Sequence, residues 1–550
     1  MTDLYPIPPA SVQVVLGRVV SRWQSGHDSE TMPNKDTRAA WDYHDRTKHS
    51  YQSIRANRHY LDWENQPIPF KIYSDLKPMP LPQHLSSSRA PALAAIATTG
   101  EPLAGEVRLN RQLLAEILYL SAGITKRRRH PGGEMLFRAA ACTGALYHID
   151  LYLVSSDLED LEAGVYHFGP HDFALRRLRR GDYRGAVARA TGEEPATLKA
   201  QAILIFASTF WRNAWKYQAR TYRHCYWDNG TILANLLAGA TARGMPTKVI
   251  LGFIDATISR LLGLDAQREA PLSVVALGTS GEIPSATEAL PSLEPLALAT
   301  APLSKEEVDY PQMRIMHGAS SLETEEEVRA WRKGRLETTE QRDKTGRPEE
   351  IFPLELLDDA DLPRDSIEEV IVRRGSTRQF ARESISFAQL STMLDRATRG
   401  IAGDVLDPAA TPLNDLYLIV HAVECLEPGA YYYRRDERAL ERLKAGDFRR
   451  DAGHLGLGQE IPADCSVNLY FLADLERALA RFGNRGYRVA QLEASIMGGK
   501  LYLAAYAQRL GASGLTFFDD DVTDFFSPHA RGKSVMFLTA LGKSAKRKTV

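Results

Sequence analysis

Four short segments carry side chains able to hold a phosphate, cradle a flat ring or move a proton. The first is Arg373-Arg374-Gly375-Ser376-Thr377-Arg378-Gln379-Phe380, just before a predicted helix. Arg374, Ser376 and Arg378 can clamp a phosphate dianion through charge-assisted bonds, which arginine makes bidentately. An exposed basic turn would read the same. The second, Thr143-Gly144-Ala145-Leu146, is a run of small residues that lets backbone approach a flat ligand closely. A plain turn entering a strand is its alternative. The third runs from Trp211 to Arg223 and sets Arg212, Lys216 and Arg220 at i, i+4 and i+8 of a predicted helix, with Tyr217 beside Lys216. A solvated basic face shows the same pattern. The fourth, Gly511 to Thr516, is a glycine-spaced turn whose Gly514, Leu515 and Thr516 can aim N–H groups at a ring nitrogen.

These segments lie on a repeat. Asp150-Leu151-Tyr152-Leu153 reappears as Asp415-Leu416-Tyr417-Leu418, an offset of 415 − 150 = 265. Gly164, Gly181-Asp182 and Arg220 find Gly429, Gly446-Asp447 and Arg485 on the same diagonal. Upstream, Gly123-Ile124 pairs with Gly400-Ile401 at 277, so the second copy is 277 − 265 = 12 residues shorter between these anchors. Each copy reads as an apolar-periodic helix, alternating strands, a buried strand, a long helical stretch and a last apolar strand. That pattern predicts an α+β fold of two fused domains, mostly antiparallel sheets flanked by helices. The boundaries fall at 1–88 for a Pro-rich extension with no assignable chemistry, 89–280 and 351–550 for the domains, and 281–350 for a connector. The connector is long enough to let the second domain pack wherever its partner face demands.

The two copies have decayed in opposite senses. At an offset of 277, Arg374 faces Ala97 and Arg378 faces Glu101, so the first copy has no phosphate clamp. The small-residue run of copy one is replaced by Asp407 to Asp415 in copy two, and Lys216-Tyr217 by Arg481-Phe482.

Bulk properties exclude several classes. Formal net charge is -1, which gives no global attraction to nucleic acid or an anionic membrane. The basic run Lys126 to Arg129 reads as a solvated face or loop. Four scattered cysteines without a CxxC pair suit a reducing compartment and offer no metal site. The absence of an apolar h-region or spanning run predicts a cytoplasmic protein.

These segments together resemble the nitroreductase superfamily, and within it the SagB/ThcOx-type dehydrogenases that oxidise azolines in peptide natural products. The resemblance runs over nearly the whole chain, including Tyr43 to Ser50 and Glu307 to Pro311. It implies FMN bound between two domains that form an intramolecular pseudo-dimer, monomeric or paired with a second chain. Arg374, Ser376 and Arg378 would hold the phosphate, helped by Lys543 or Arg547. Gly514 to Thr516 would face the ring from copy two and Thr143 to Leu146 from copy one, giving one FMN per chain. The family's Lys–Tyr pair falls on Lys216 and Tyr217, with Arg212 and Arg220 as cations able to lower the lysine's pKa. The acidic-x-Gly-His run common in the family reads Asp228-Asn229-Gly230-Thr231 here, without the histidine. The implied activity is dehydrogenation of a ring or peptide-derived substrate, with biosynthetic partner proteins. An NAD(P)H-dependent nitro- or quinone reductase and a flavin-less scaffold subunit are the alternatives.

Overall fold

The structure is a computed structural model that describes residues 33–98, 103, 107–130, 133–279, 292–334, 350–358, 360–406 and 411–545. Its strands are β1 (Met79–Pro80), β2 (Ile124–His130), β3 (Gly133–Arg138), β4 (Ile149–Ser155), β5 (Gly164–Gly169), β6 (Ala174–Arg180), β7 (Ala202–Thr209), β8 (Thr247–Ile250) and β9 (Glu269–Leu277) in the first copy. The second copy holds β10 (Ile351–Pro353), β11 (Asn414–Val420), β12 (Gly429–Arg434), β13 (Ala439–Ala445), β14 (Val467–Ala473), β15 (Gly511–Gly514) and β16 (Ser534–Gly542). They build two seven-stranded antiparallel sheets of identical order, β1-β6-β5-β4-β7-β9-β8 and β10-β13-β12-β11-β14-β16-β15. Register repeats as well: Tyr152 faces His167 as Tyr417 faces Tyr432, and both sheets carry a bulge at the same place, Val165/Tyr166 and Ala430/Tyr431. The two α+β domains of the sequence reading are present.

Two long central helices, Thr221–Ala242 and Arg485–Ala507, pack against each other and join both copies in one hydrophobic core. Neither shows a polar stripe, as expected of a helix surrounded by protein. At their crossing each residue meets its own repeat equivalent. A Cβ on Gly230 would lie 1.9 Å from Ser495 Oγ, and one on Gly499 would lie 2.6 Å from Ala234 Cβ. Since 495 − 230 and 499 − 234 both equal 265, a pseudo-two-fold axis passes through this point. Self-contact of equivalent positions is the signature of an isologous interface. Ala92 N donating to Asp365 O and Ile367 N donating to Ala90 O repeat it at an offset of 275. That register replaces 277 at this helix.

The described parts of the extension and the connector hold two copies of one element. Helices Arg38–Arg46 and Pro311–Ala319 correspond at 311 − 38 = 273, and β1 and β10 pair with β6 and β13 at the same offset. Each element clasps the opposite copy. Arg220 and Arg223 of the first central helix pair with Asp519, and Arg223 Nη2 also donates to His44 O at 2.7 Å. Arg485 and Arg488 of the second pair with Asp255, and Arg488 Nη2 donates to His317 O at 2.6 Å. His44 and His317 are 273 apart, and both carboxylates and all four guanidinium groups are buried. The described part of the connector is therefore a packing element and not a free linker.

Candidate functional site

A capping box, Ser366 with Glu369, starts the helix Ile367–Arg373, whose C-terminus delivers Arg374. The arginine motif is thus positioned by the helix before it; the helix after it begins only at Phe387. Arg374 reaches across to copy one, where Nε donates to Ala139 O at 2.8 Å and Nη2 to Arg138 O at 3.0 Å. This use as an inter-copy clasp was not anticipated. Ser376 Oγ lies 3.5 Å from Tyr502 Oη, which also accepts the Gly514 N–H. Arg378 is exposed, and no acceptor among the described residues holds its guanidinium.

Thr143–Ala145 forms a single turn with Gly144 at φ 64°. Asp228, on the first central helix, pins it by accepting from Thr143 N and Thr143 Oγ1, both at 2.8 Å, while its other oxygen faces His148 Nε2 at 2.9 Å. Glu493, 265 residues on, does the same for Leu413 N and Asn414 N at 3.0 and 2.8 Å. The acidic position of the altered family run is therefore a loop anchor in both copies. Over the turn sits Tyr217: a Cβ on Gly144 would fall 2.8 Å from Tyr217 Oη. Only glycine allows this approach.

Lys216 and Tyr217 reach that place because the expected continuous helix breaks. The segment Trp211–Tyr217 ends at Gln218, which holds φ 51°, ψ −141°, a region that non-glycine residues occupy at a cost of about 1–3 kcal/mol. Its counterpart, Gly483, has φ 63°, ψ −158°. The break also removes the predicted i, i+4, i+8 cationic face. Arg212 is buried against Asp150, and Arg220 is taken by Asp519. The pKa of Lys216 is lowered first by burial and then by Arg378, a cation from the other copy. Burial, with Asp228 adding to it, pushes the Tyr217 phenol well up, so it stays protonated.

The extension, to which the sequence reading gave no chemistry, wraps this break. Tyr43 Oη donates to Ala219 O at 2.6 Å, Asn57 Nδ2 to Gln218 Oε1 at 2.9 Å, and Trp63 packs edge-on to Trp215 at 5.3 Å. His49 Nδ1 lies 3.2 Å from Thr516 Oγ1; burial and Arg220 push its pKa down to about 3, so the ring is neutral. The Leu515 N–H is bonded to Leu538 O at 3.1 Å, and the Thr516 N–H has no acceptor among the described residues.

Lys543 is not brought here. Its carbonyl accepts from Ala381 N, and its Nζ turns to Glu383 Oε2 at 3.5 Å, while Ser544, past the end of β16, meets Thr377 Oγ1 at 2.9 Å. Arg547 and Glu101 lie outside the described residues.

The pseudo-equivalent site is filled with protein. Leu251 and Gly252, the counterparts of Leu515 and Thr516 at an offset of 264, donate their N–H groups to the two oxygens of Asp404 at 3.0 and 2.9 Å. The helix Glu325–Lys333 lays Trp331 on Gly252, and Trp331 Nε1 donates to Phe482 O at 2.9 Å. The chain therefore has one open composite site and one closed by its own side chains. The open one combines an exposed Arg378 without an acceptor among the described residues, the Gly144 turn, the Thr516 N–H and a lysine of lowered pKa.

The fold is that of a two-domain α+β protein whose copies meet about a pseudo-two-fold axis, the architecture of a fused pseudo-dimer. The "Nitroreductase family" matches residues 109–279 and 371–543, more than half of the chain, so the protein belongs to that family of oxidoreductases. A solved structure from Anabaena variabilis, provisionally named a nitroreductase, is 26% identical with a TM-score of 0.72, covering 92% of this chain and 99% of its own. A protein of Methanocaldococcus jannaschii with a provisional nitroreductase name is 26% identical over 30% of this chain and 78% of its own length. The microcin B17-processing protein McbC of Escherichia coli is 28% identical over 28% of this chain, and the match spans 54% of that protein. Among the described residues no helix is long and apolar enough to cross a membrane.

Proposed function

We propose that the chain is an FMN-dependent dehydrogenase or oxidase of the SagB type, holding one FMN in the open site and desaturating a ring or peptide-derived substrate. The observation that carries this reading is the contrast between the two sites. At the closed one the Asp404 carboxylate accepts from the Leu251 and Gly252 N–H groups, and the Trp331 indole covers Gly252. At the open one the Thr516 N–H and the exposed Arg378 guanidinium have no acceptor among the described residues, and Tyr217 lies over Gly144. The residues fit the cofactor's chemistry. Ser376 and Arg378, with the remaining donors of Arg374, suit a phosphate, and Gly514 to Thr516 and Thr143 to Leu146 suit the two sides of a planar ring.

When bound, FMN supplies the hydride acceptor. The chain's own residues do the rest. Lys216, with burial and Arg378 favouring its neutral form, takes a proton from substrate, a step such positioned bases accelerate about 10²–10⁴-fold. Tyr217, kept protonated, donates a hydrogen bond and covers the glycine turn. Resemblance to a protein named for processing microcin B17 supports a peptide-derived substrate and biosynthetic partners.

Flavin stoichiometry is the test. The purified protein should carry one FMN per chain, and Arg378→Glu should lose it. Full flavin retention by that variant refutes the clamp, and rapid bleaching of the flavin by NADPH reassigns the protein as a reductase.

A further inference from the structure

The segment present in copy one and missing from copy two is the hairpin β2–β3. It forms a two-stranded sheet that joins neither seven-stranded sheet, so neither edge pairs with another strand among the described residues. In copy two the same stretch is 12 residues shorter and instead dips Asp404 into the closed site. The hairpin thus stands only at the open site, and its foot is built into that site. Arg374 holds the carbonyls of Arg138 and Ala139, and Arg138 Nη2 donates to Pro69 O. From that foot β3 runs through Arg138 into the Thr143 turn.

The hairpin's charge is one-sided. Lys126, Arg127, Arg128 and Arg129 on β2 are all exposed, against the single acid Glu134 on β3. Cross-strand register sorts them by face. Arg127 and Arg129 share one face with Glu134, which pairs with both, at 3.2 and 3.9 Å. Lys126 and Arg128 share the other with Phe137 and Met135, and no acid among the described residues pairs with either. Charged edges commonly serve only to discourage aggregation. That need would have arisen wherever an edge was exposed, and a hairpin this isolated is marginally stable without something to pack on.

We propose that β2–β3 is a docking arm for an acidic, extended peptide segment of the substrate, which adds as a third strand along the open edge of β2. Main-chain pairing would supply affinity without regard to sequence, and carboxylates on alternate residues would share one face and meet Lys126 and Arg128, the cations that Glu134 does not pair. Seven residues of β2 extend about 20 Å at the usual rise of a strand, so the arm would engage residues well away from the reacting group. The inference rests on the open site being the active one.

Fluorescence anisotropy of the full-length flavin-loaded protein tests it. The probe is a fluorescein-labelled peptide alternating glutamate and threonine, with a lysine–threonine peptide as control. The wild type should bind the acidic probe alone, and progressively less as salt is raised. Lys126→Glu/Arg128→Glu should weaken binding about tenfold or more while flavin content stays at the wild-type level, which certifies folding. Equal binding by that variant, no binding by the wild type, or displacement of the probe by NADPH each overturns the proposal. Flavin content is read in the same samples, so absence of flavin with the probe still bound counts against the cofactor assignment and not against the arm.

Discussion

Replacing Asp255 by asparagine removes a charge that two arginines share in a dry place. Asp255 lies 2.6 Å from both Arg485 Nη1 and Arg488 Nη1, and despite burial the guanidinium groups bring its pKa from 3.8 down to about 2. That difference alone corresponds to about 2.5 kcal/mol. Breaking a buried pair by removing one partner costs about 3–5 kcal/mol, since the other charge stays behind. Here two arginines stay behind, but Arg485 keeps Leu251 O and Ser320 O, and Arg488 keeps His317 O and Ser320 Oγ. About 3 kcal/mol is therefore expected for Asp255→Asn. Thermal unfolding followed by circular dichroism checks it at neutral pH. The group's folded pKa is depressed, so its contribution is complete above the unfolded value near ~4 and is lost as pH falls toward about 2. The gap between wild type and variant should narrow over that window. A gap that is absent at neutral pH, or that persists unchanged into acid, refutes the reasoning.

Three further outcomes follow from the same geometry. Gly230→Ala should destabilise by about 1–3 kcal/mol, because its Cβ would meet Ser495 Oγ and the Ile496 backbone; adding Ser495→Gly should recover part of the loss in a melt. Gly483→Ala should cost more, since φ is positive and the Cβ would sit 1.9 Å from Asn34 O, whereas Gln218→Gly should be nearly neutral, strain relief offsetting the lost Asn57 bond. In the proposed reaction the rate should rise with pH to a plateau reached below the ordinary lysine range, because burial and Arg378 lower the pKa of Lys216. Lys216→Ala should abolish that limb while the protein stays yellow, and an unchanged pH profile excludes this lysine as the base.

The duplication was legible because equivalent strands keep the same letters, as in Asp150-Leu151-Tyr152-Leu153 and its partner. The register at the arginine motif was misread by two residues: at an offset of 275 Arg374 and Arg378 face Thr99 and Leu103 in place of Ala97 and Glu101, because no repeated letters near the helix Ile367–Arg373 fix the alignment. The equivalence of extension and connector was not legible, because it is carried by carbonyls: His44 O and His317 O accept from Arg223 and Arg488 whatever side chains surround them. The helix break at Gln218 was hidden because glutamine carries no signal for positive φ, although Gly483 at the matching position did. Where Lys543 turns could not be read from letters alone, since it lies past the end of β16 and its Nζ meets Glu383 while Ser544 meets Thr377. His49 fell within the Tyr43 to Ser50 segment that carries the resemblance, but nothing there tied it to Thr516, some 470 residues on, which it meets only once the chain has folded.

The pocket closed by Trp331 and Asp404 has a consequence for how substrate arrives. In an assembly of two identical subunits every substitution appears at both ends, so the two entrances stay equivalent. Covalent fusion lifts that constraint: one end became solid interior while the other gained a rim and an arm. If the proposed function holds, a long substrate would meet two unlike ends and could be read in a single direction.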